Sequence, residues 1–312
     1  MVDFGSDVPC FHPVPALYDG DNVTVRPRPS EVNTALPCGH CAGCKTSRSQ
    51  EWASRVMHEA REHHSNIFAT LTYNDENVHP DGALVPWHLS EFLRDLRKKV
   101  LRDSTFIGNP STSAFPNRLR YLACGEYGDR SGRPHYHAIL FGVALADARQ
   151  ATDKLLNSSA LEKLWGRGTV NYGEVTGASA AYVAGYTVKS LGKQQHSRDG
   201  VVIPPPFLRM STHPGIGALY ADRFATDFRS GSLVVDGSHH RIPRYYRKRI
   251  ERTMPQLAEE IANAILVRQE QQSSECIDHF GPALDHPSHP ARLKASETIL
   301  LRKQELTRSH SL

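Results

Sequence analysis

"RLRYLACGEYGDRSGRPHYHAILFG", Arg118–Gly142, is the stretch on which the fold turns. Two runs, "RLRYLACGEYG" and "HYHAILFG", are rich in aliphatic and aromatic residues, and "DRSGRP" between them is turn chemistry. The pattern predicts two strands of a hairpin. Residues i and i+2 of a strand share a face, so His135 and His137 project together while Tyr136 points to the other side. Two imidazoles alone make a weak cation site. Glu126, nine residues before His135, becomes the third ligand if the turn folds the strands together. A Glu/His/His set leaves coordination positions open for water or phosphate oxygens; it suits Mn²⁺ or Mg²⁺, with zinc the other option. The competing reading is a pair of half-exposed polar residues on a wet sheet face.

Outward from the hairpin, helix and strand signals alternate. Arg48–His64 places Trp52, Val56, Met57 and Ala60 on one helical face. Asn66–Tyr73, "NIFATLTY", reads as a buried strand. Leu89–Arg102 is a second amphipathic helix, with Ser90 as its cap and Phe92, Leu93, Leu96 and Val100 facing inward. After the hairpin come a short helix at Ala160–Trp165, a strand at "TVNYGEV" and a helix over Ser179–Leu191 with Ser179 as its cap. This order predicts an α+β domain, a central antiparallel sheet covered by helices. Beyond Leu191 the signal weakens through "VVIPPPF" and "THPGIG", apart from a late helix from Pro255 to about Gln272. The end of the chain reads as a poorly ordered or peripheral tail.

The Ser179–Leu191 segment carries a second chemical signal. In "AYVAGYTVK", Tyr182 and Tyr186 stand at i and i+4 on one helical face, and Lys189 follows. A phenol has a pKa of about 10 and is a poor nucleophile near neutral pH. Beside a cation-bound phosphate it can attack, because the cation withdraws charge from the phosphoryl oxygens. Lys189 can hold a neighbouring phosphate or steady the developing phenolate. Without that context, an aromatic stripe facing the core accounts for the same spacing.

Composition limits the partners. The chain has 312 residues, 22% charged and 39% hydrophobic, which is globular usage. No apolar run approaches the roughly 18 residues of a spanning helix, and "MVDFGSDVPC" is not a signal peptide, so an intracellular protein is expected. The net charge of +4 says little, but "RIPRYYRKRIER", Arg241–Arg252, holds six basic residues and one acid around two tyrosines. Such a run suits a nucleic-acid backbone and its bases, with Arg244, Tyr245, Arg247 and Lys248, and Arg133 beside the histidines, as the candidate contacts; a solvated helix start is the competing reading.

Six cysteines include four within the first 44 residues. Cys38, Cys41 and Cys44 form a C-x₂-C-x₂-C run, and Cys10 is the obvious fourth thiolate, with His12 and His40 as alternates. Four such ligands make a closed structural zinc site; an iron–sulfur cluster and free thiols are the other readings. Cys124 reads as core and Cys276 as incidental.

Taken together, "RPHYHAILFG" resembles the metal motif of HUH endonucleases, "YVAGYTVK" their two-tyrosine motif, and "FATLTYND" the strand motif preceding both. The resemblance is strongest to the rolling-circle replication initiators of gokushovirus-type single-stranded DNA phages of the Microviridae. It extends through "PCGHCAGCKTSRSQEWASRVMHE", "HPGIG" and "IPRYY", roughly residues 8–250. It implies His135, His137 and Glu126 as metal ligands and Tyr186 and Tyr182 as nucleophiles, Tyr186 slightly favoured for the first cut. Gly185 stands where some relatives carry a lysine, leaving Lys189 as the nearer basic group. The implied activity is nicking of origin DNA through a 5′-phosphotyrosyl link, with a 3′-OH left for host polymerase and rejoining by the second tyrosine. No G-x-x-x-x-G-K-[ST] occurs, so unwinding falls to a host helicase in the bacterial cytoplasm. The segments then divide as a cysteine-rich 1–50 with a zinc site, a nicking domain over 51–195 and a mostly helical or irregular extension over 196–312, with a basic, aromatic DNA-contacting segment and a helical tail. A zinc-stapled DNA-binding protein without catalysis, a plasmid mobilisation relaxase and a water-using hydrolase are the rival readings.

Overall fold

A computed structural model of the chain describes residues 10–20, 22–108, 119–128, 130–189, 196–198, 200–235, 238–280 and 290–309. Seven strands form its main sheet: β1 (Asn66–Thr72), β2 (Arg120–Tyr127), β3 (Pro134–Phe141), β4 (Arg149–Gln150), β5 (Leu156–Asn157), β6 (Val170–Glu174) and β7 (Phe207–Met210). Their order is β7-β2-β3-β1-β6-β5-β4, and every pairing is antiparallel. The α-helices are α1 (Ala42–Arg61), α2 (Pro86–Val100), α3 (Ser159–Trp165), α4 (Gly177–Lys189), α5 (Ala218–Arg223), α6 (Arg244–Thr253), α7 (Pro255–Phe280) and α8 (Pro290–Ser309). The expected α+β class, with an antiparallel sheet flanked by helices, is what the chain adopts.

The chain divides into two compact units, Ser49–Phe224 and Met1–Arg48 with Ala225–Leu312. In the first, helices cover both faces of the sheet. Ile67, Ala69, Leu71, Tyr136, Ala138 and Leu140 pack on one face against Leu89, Phe92 and Leu96 of α2 and Leu161 and Trp165 of α3. On the other, Leu122, Cys124, Ile139 and Phe141 meet Val56 of α1 and Ala180 and Val183 of α4. Burial on both sides explains why β2 and β3 read as nearly continuous apolar runs.

Several boundaries differ from the sequence reading. Helix α2 begins at Pro86, where the missing N–H costs nothing, and Ser90 Oγ bonds back to the Pro86 carbonyl at 3.1 Å instead of capping. Thr176, not Ser179, caps α4; Ser179 N donates to Thr176 Oγ1 and Thr176 N to Ser179 Oγ, a reciprocal box that starts the helix at Gly177. Helix α1 reaches back to Ala42. Strand β7 carries no alternating signal, yet it pairs along β2 from Phe207↔Gly125 to Met210↔Leu122. Gly125 permits this closeness, since a Cβ there would lie 2.6 Å from the Phe207 ring.

In the second unit, Val14–Tyr18 pairs with Val23–Val25 and Thr34–Leu36. The helical tail expected at the end of the chain is α8, and it is packed rather than loose. Its Leu293 and Leu300, seven residues apart on one face, pack against Phe11 and the four N-terminal cysteines. Among the described residues no helix is long and apolar enough to cross a membrane.

Candidate metal and nucleophile site

The β2–β3 register sets the site. Glu126 pairs directly with His135, and His137 with Cys124, so the carboxylate and both imidazoles share one face of the sheet. His135 Nε2 and His137 Nε2 each lie 2.8 Å from the same atom, Glu126 Oε1. Glu126 and His137 are nearly buried, and His135 is about one-fifth exposed. One ligand atom from each residue falls within 4.8 Å of the others. Tyr136, on the opposite face, is wholly buried against Trp165 and Tyr73.

The surroundings of the two rings suit a cation. His135 Nδ1 is 3.1 Å from the Arg133 carbonyl, which can only accept, so Nδ1 carries a proton and the neutral tautomer of the ring would present its lone pair at Nε2. Nε2 faces a carboxylate oxygen at 2.8 Å, a contact that a ring proton on Nε2 or a cation shared with the carboxylate would satisfy. His137 Nδ1 is held by Thr70 Oγ1 at 2.9 Å. Phe68 stacks on the His137 ring at 5.5 Å and meets Tyr182 edge-on. Thr70 and Phe68 escaped the sequence reading as site residues, although β1 alternation puts both on the face of the histidines.

Helix α4 packs Ala180 and Val183 into the core and turns Tyr182 outward, 47% exposed. Tyr182 Oη donates to Glu126 Oε1 at 3.1 Å, and its ring stands perpendicular to His137, 5.1 Å between centres. Carboxylate, two imidazoles and one phenol therefore converge on one oxygen. Tyr186 and Lys189 follow on the same helix; their side chains lie outside the described residues. Arg133 reaches the Tyr73 carbonyl at 3.0 Å and Asp75 at 2.7 Å.

Comparison with known proteins adds the family. Residues 66–191, which contain this whole constellation, match the family described as Replication-associated protein ORF2. The chain is 32% identical to the replication-associated protein ORF2 of Spiroplasma virus 4, covering 71% of this chain and 69% of that one. It is 31% identical to the replication-associated protein VP4 of Bdellovibrio phage phiMH2K, over 79% and 78% of the two chains. The chain belongs to the phage replication-associated proteins. A relative from Chlamydia phage 1, replication-associated protein ORF4, is 27% identical over 68% of this chain and 52% of its own. No solved structure matches the chain.

This replication-associated protein has a second cluster of possible metal ligands, Cys10, Cys38, Cys41 and Cys44. Cys10 and Cys41 sulfurs are 3.9 Å apart, and those of Cys38 and Cys44 are 4.0 Å apart. Zinc at ~2.3 Å from four thiolates spaces the sulfurs about 3.8 Å apart, whereas a disulfide needs about 2 Å. Backbone N–H groups of Phe11 and Cys44 donate to Cys41 Sγ, that of Cys38 to Cys10 Sγ, and those of His40 and Cys41 to Cys38 Sγ. Such donors favour thiolates. Burial pushes the Cys10 and Cys44 thiols up; at Cys41 the N–H donors of Cys44 and Phe11 outweigh burial and hold the pKa at about 6. The alternate ligand His12 instead turns its Nε2 to Glu297 of α8 at 3.1 Å. Cys124 is buried in the core, as expected; the Cys276 side chain lies outside the described residues.

The basic run forms α6, which buries Tyr246 and Ile250 and exposes Arg244, Arg247 and Lys248. Tyr245 is half-buried, its ring 6.1 Å from Tyr246.

Proposed function

We propose that this chain is an HUH-type nicking enzyme that starts rolling-circle replication of a phage genome. In this reading residues 51–195 form the nicking domain, 1–50 a zinc-stapled segment and 196–312 an extension that contacts DNA through Arg244, Tyr245, Arg247 and Lys248. The observation that carries it is the Tyr182 hydroxyl donating to Glu126 Oε1, the atom both histidines also meet. Glu126, His135 and His137 would hold Mn²⁺ or Mg²⁺, which when bound withdraws charge from the phosphoryl oxygens.

This chain's residues then supply the rest. Tyr182 Oη attacks the phosphorus of the origin strand and gives up its proton towards Glu126 and on to solvent; the Oη–P bond forms, the P–O3′ bond breaks, and the leaving O3′ takes a proton from solvent to depart as a 3′-OH. The phenolic proton already points to Glu126 Oε1, which orients the attacking lone pair. Each exchange trades one phosphodiester for another, so no ATP is consumed. We assign the first attack to Tyr182, the phenol that reaches Glu126 Oε1, although the sequence slightly favours Tyr186; Tyr186 then serves the second cut on the regenerated origin. Lys189 and Arg133 hold neighbouring phosphates. Host polymerase extends the 3′-OH, and a host helicase opens the duplex. At the cysteine cluster, sulfurs about 4 Å apart suit a single zinc ion better than an iron–sulfur cluster, whose several irons and bridging sulfides would spread the ligands.

Incubation with labelled single-stranded origin DNA and Mn²⁺ should give an SDS-resistant protein–DNA adduct that disappears in Tyr182→Phe/Tyr186→Phe. Undiminished adduct in that double variant, or cleavage with no adduct at all, contradicts the proposal; the latter is the behaviour of a water-using hydrolase.

A further inference from the structure

Trp87, the second residue of α2, is the most exposed large aromatic side chain among the described residues, at 61%. Indoles normally bury most of their surface, so its position needs a reason. Nothing in the chemistry proposed above uses it.

Its place in the fold is fixed by three hydroxyls from three strand ends. Tyr136, between the two histidines, accepts from Val85 N at 3.0 Å and donates to the Val85 carbonyl at 2.9 Å. Tyr127, next to Glu126, accepts from Leu84 N at 3.0 Å. Tyr73 Oη lies 2.8 Å from His88 Nδ1 and 2.7 Å from the Tyr136 hydroxyl. Tyr73 directly follows Thr72, which pairs with His135. These bonds clamp residues 84–88 to the end of the sheet that carries Glu126 and His135. Trp87 therefore stands at that end, beside the strand termini.

A charged group stands against the ring. The Arg94 guanidinium lies 5.7 Å from the indole centre and is itself held by Glu91 and Asp95. Arg133, 40% exposed, borders the same strand ends. An exposed ring beside the Arg94 ion pairs is poorly suited to burying an apolar protein patch. It suits one flat π-face with phosphates nearby, the combination single-stranded nucleic acid offers.

We infer that Trp87 is the stacking platform for a base of the strand whose phosphate lies at Glu126, His135 and His137. This inference rests on the nicking reading for its ligand. The strand rounds the end of the sheet, with its backbone on the histidine side and one base on the indole. Trp87 thereby sets the hold on the strand near the cut without touching the reacting atoms.

The test uses the full chain, an origin oligonucleotide and no added Mn²⁺, so that binding is read before any cleavage. Of the three tryptophans, Trp165 is fully buried and Trp52 packs on the core beneath Arg55, so quenching by DNA should report Trp87. Trp87→Ala is expected to weaken binding about 5- to 100-fold by fluorescence anisotropy. Trp87→Phe should keep binding within a few-fold while losing the quench. Wild-type affinity in Trp87→Ala, or an undiminished quench in Trp87→Phe, overturns the inference. So does self-association of the DNA-free chain that Trp87→Ala abolishes while affinity for DNA is unchanged. If wild type shows the quench but yields no adduct once Mn²⁺ is added, the nicking chemistry fails and the platform stands.

Discussion

Glu126 Oε1 is the atom on which the site converges, and its neighbours make separable predictions. Thr70 Oγ1 at His137 Nδ1 orients that ring, so Thr70→Val should lower Mn²⁺ affinity about 10- to 100-fold in calorimetric titration, with the fold intact. Unchanged affinity would remove Thr70 from the site. A second residue-scale expectation concerns acid stability. His58 is 3% exposed and stacked on Tyr220 at 3.7 Å; burial, with Arg61 nearby, lowers its pKa to about 4. Above about pH 6.5 it is neutral in both folded and unfolded chains. Below that the unfolded chain takes a proton that the folded one refuses, so stability falls as pH drops from about 6.5 to 4, by about 3 kcal/mol in all. Glu59 adds to this at lower pH. Burial alone would raise its pKa, but His63, Arg120 and the Gly217 N–H lower it, so the stability it lends at neutral pH is lost as the carboxylate protonates. Denaturant titrations of His58→Phe should show a flatter profile between pH 6.5 and 4; the wild-type slope there would refute the assignment.

At the scale of elements, what could be read from the sequence depended on period and on distance along the chain. The hairpin of β2 and β3 was legible because two apolar runs flank a turn, and its register put Glu126 opposite His135. Helix α4 was legible from its spacing despite Gly185. A Cβ at Gly185 would meet nothing within 4 Å, so Gly185→Ala should stabilise the folded chain by about 0.5–1 kcal/mol in denaturant titration. A loss of stability would mean that the helix needs the glycine. Strand β7 was not legible, because four residues after a proline run carry no alternation and gain their partner only through the close approach at Gly125. Nor was the packing of α8, since Leu293 finds Phe11 from the opposite end of the sequence. Thr70 and Phe68 lay in a strand that was recognised, but their duties depend on ring orientations that spacing alone does not give.

At the scale of the whole molecule, two clusters of possible metal ligands stand in two compact units, with different coordination and different expected duties. The Glu/His/His set leaves coordination positions open, as catalysis requires, whereas four thiolates close a tetrahedron. Metal analysis of the purified chain should find one tightly held zinc, lost when Cys41 and Cys44 are replaced by serine. Its removal should lower hydrogen-exchange protection in α8 as well as around Cys38–Cys44, because Leu293 and Leu300 pack on those cysteines. Protection of α8 that survives metal loss would show that the cluster does not organise it. The central claim is that a tyrosine of α4 becomes bonded to DNA at the Glu126 site. Its most direct measurement is mass spectrometry of the protease-digested adduct formed on origin DNA with Mn²⁺. The account predicts a nucleotide joined through its 5′-phosphate to Tyr182 in the first-cut product, and no such peptide from Glu126→Ala. A nucleotide attached elsewhere than Tyr182 or Tyr186, or an adduct undiminished in Glu126→Ala, would contradict it.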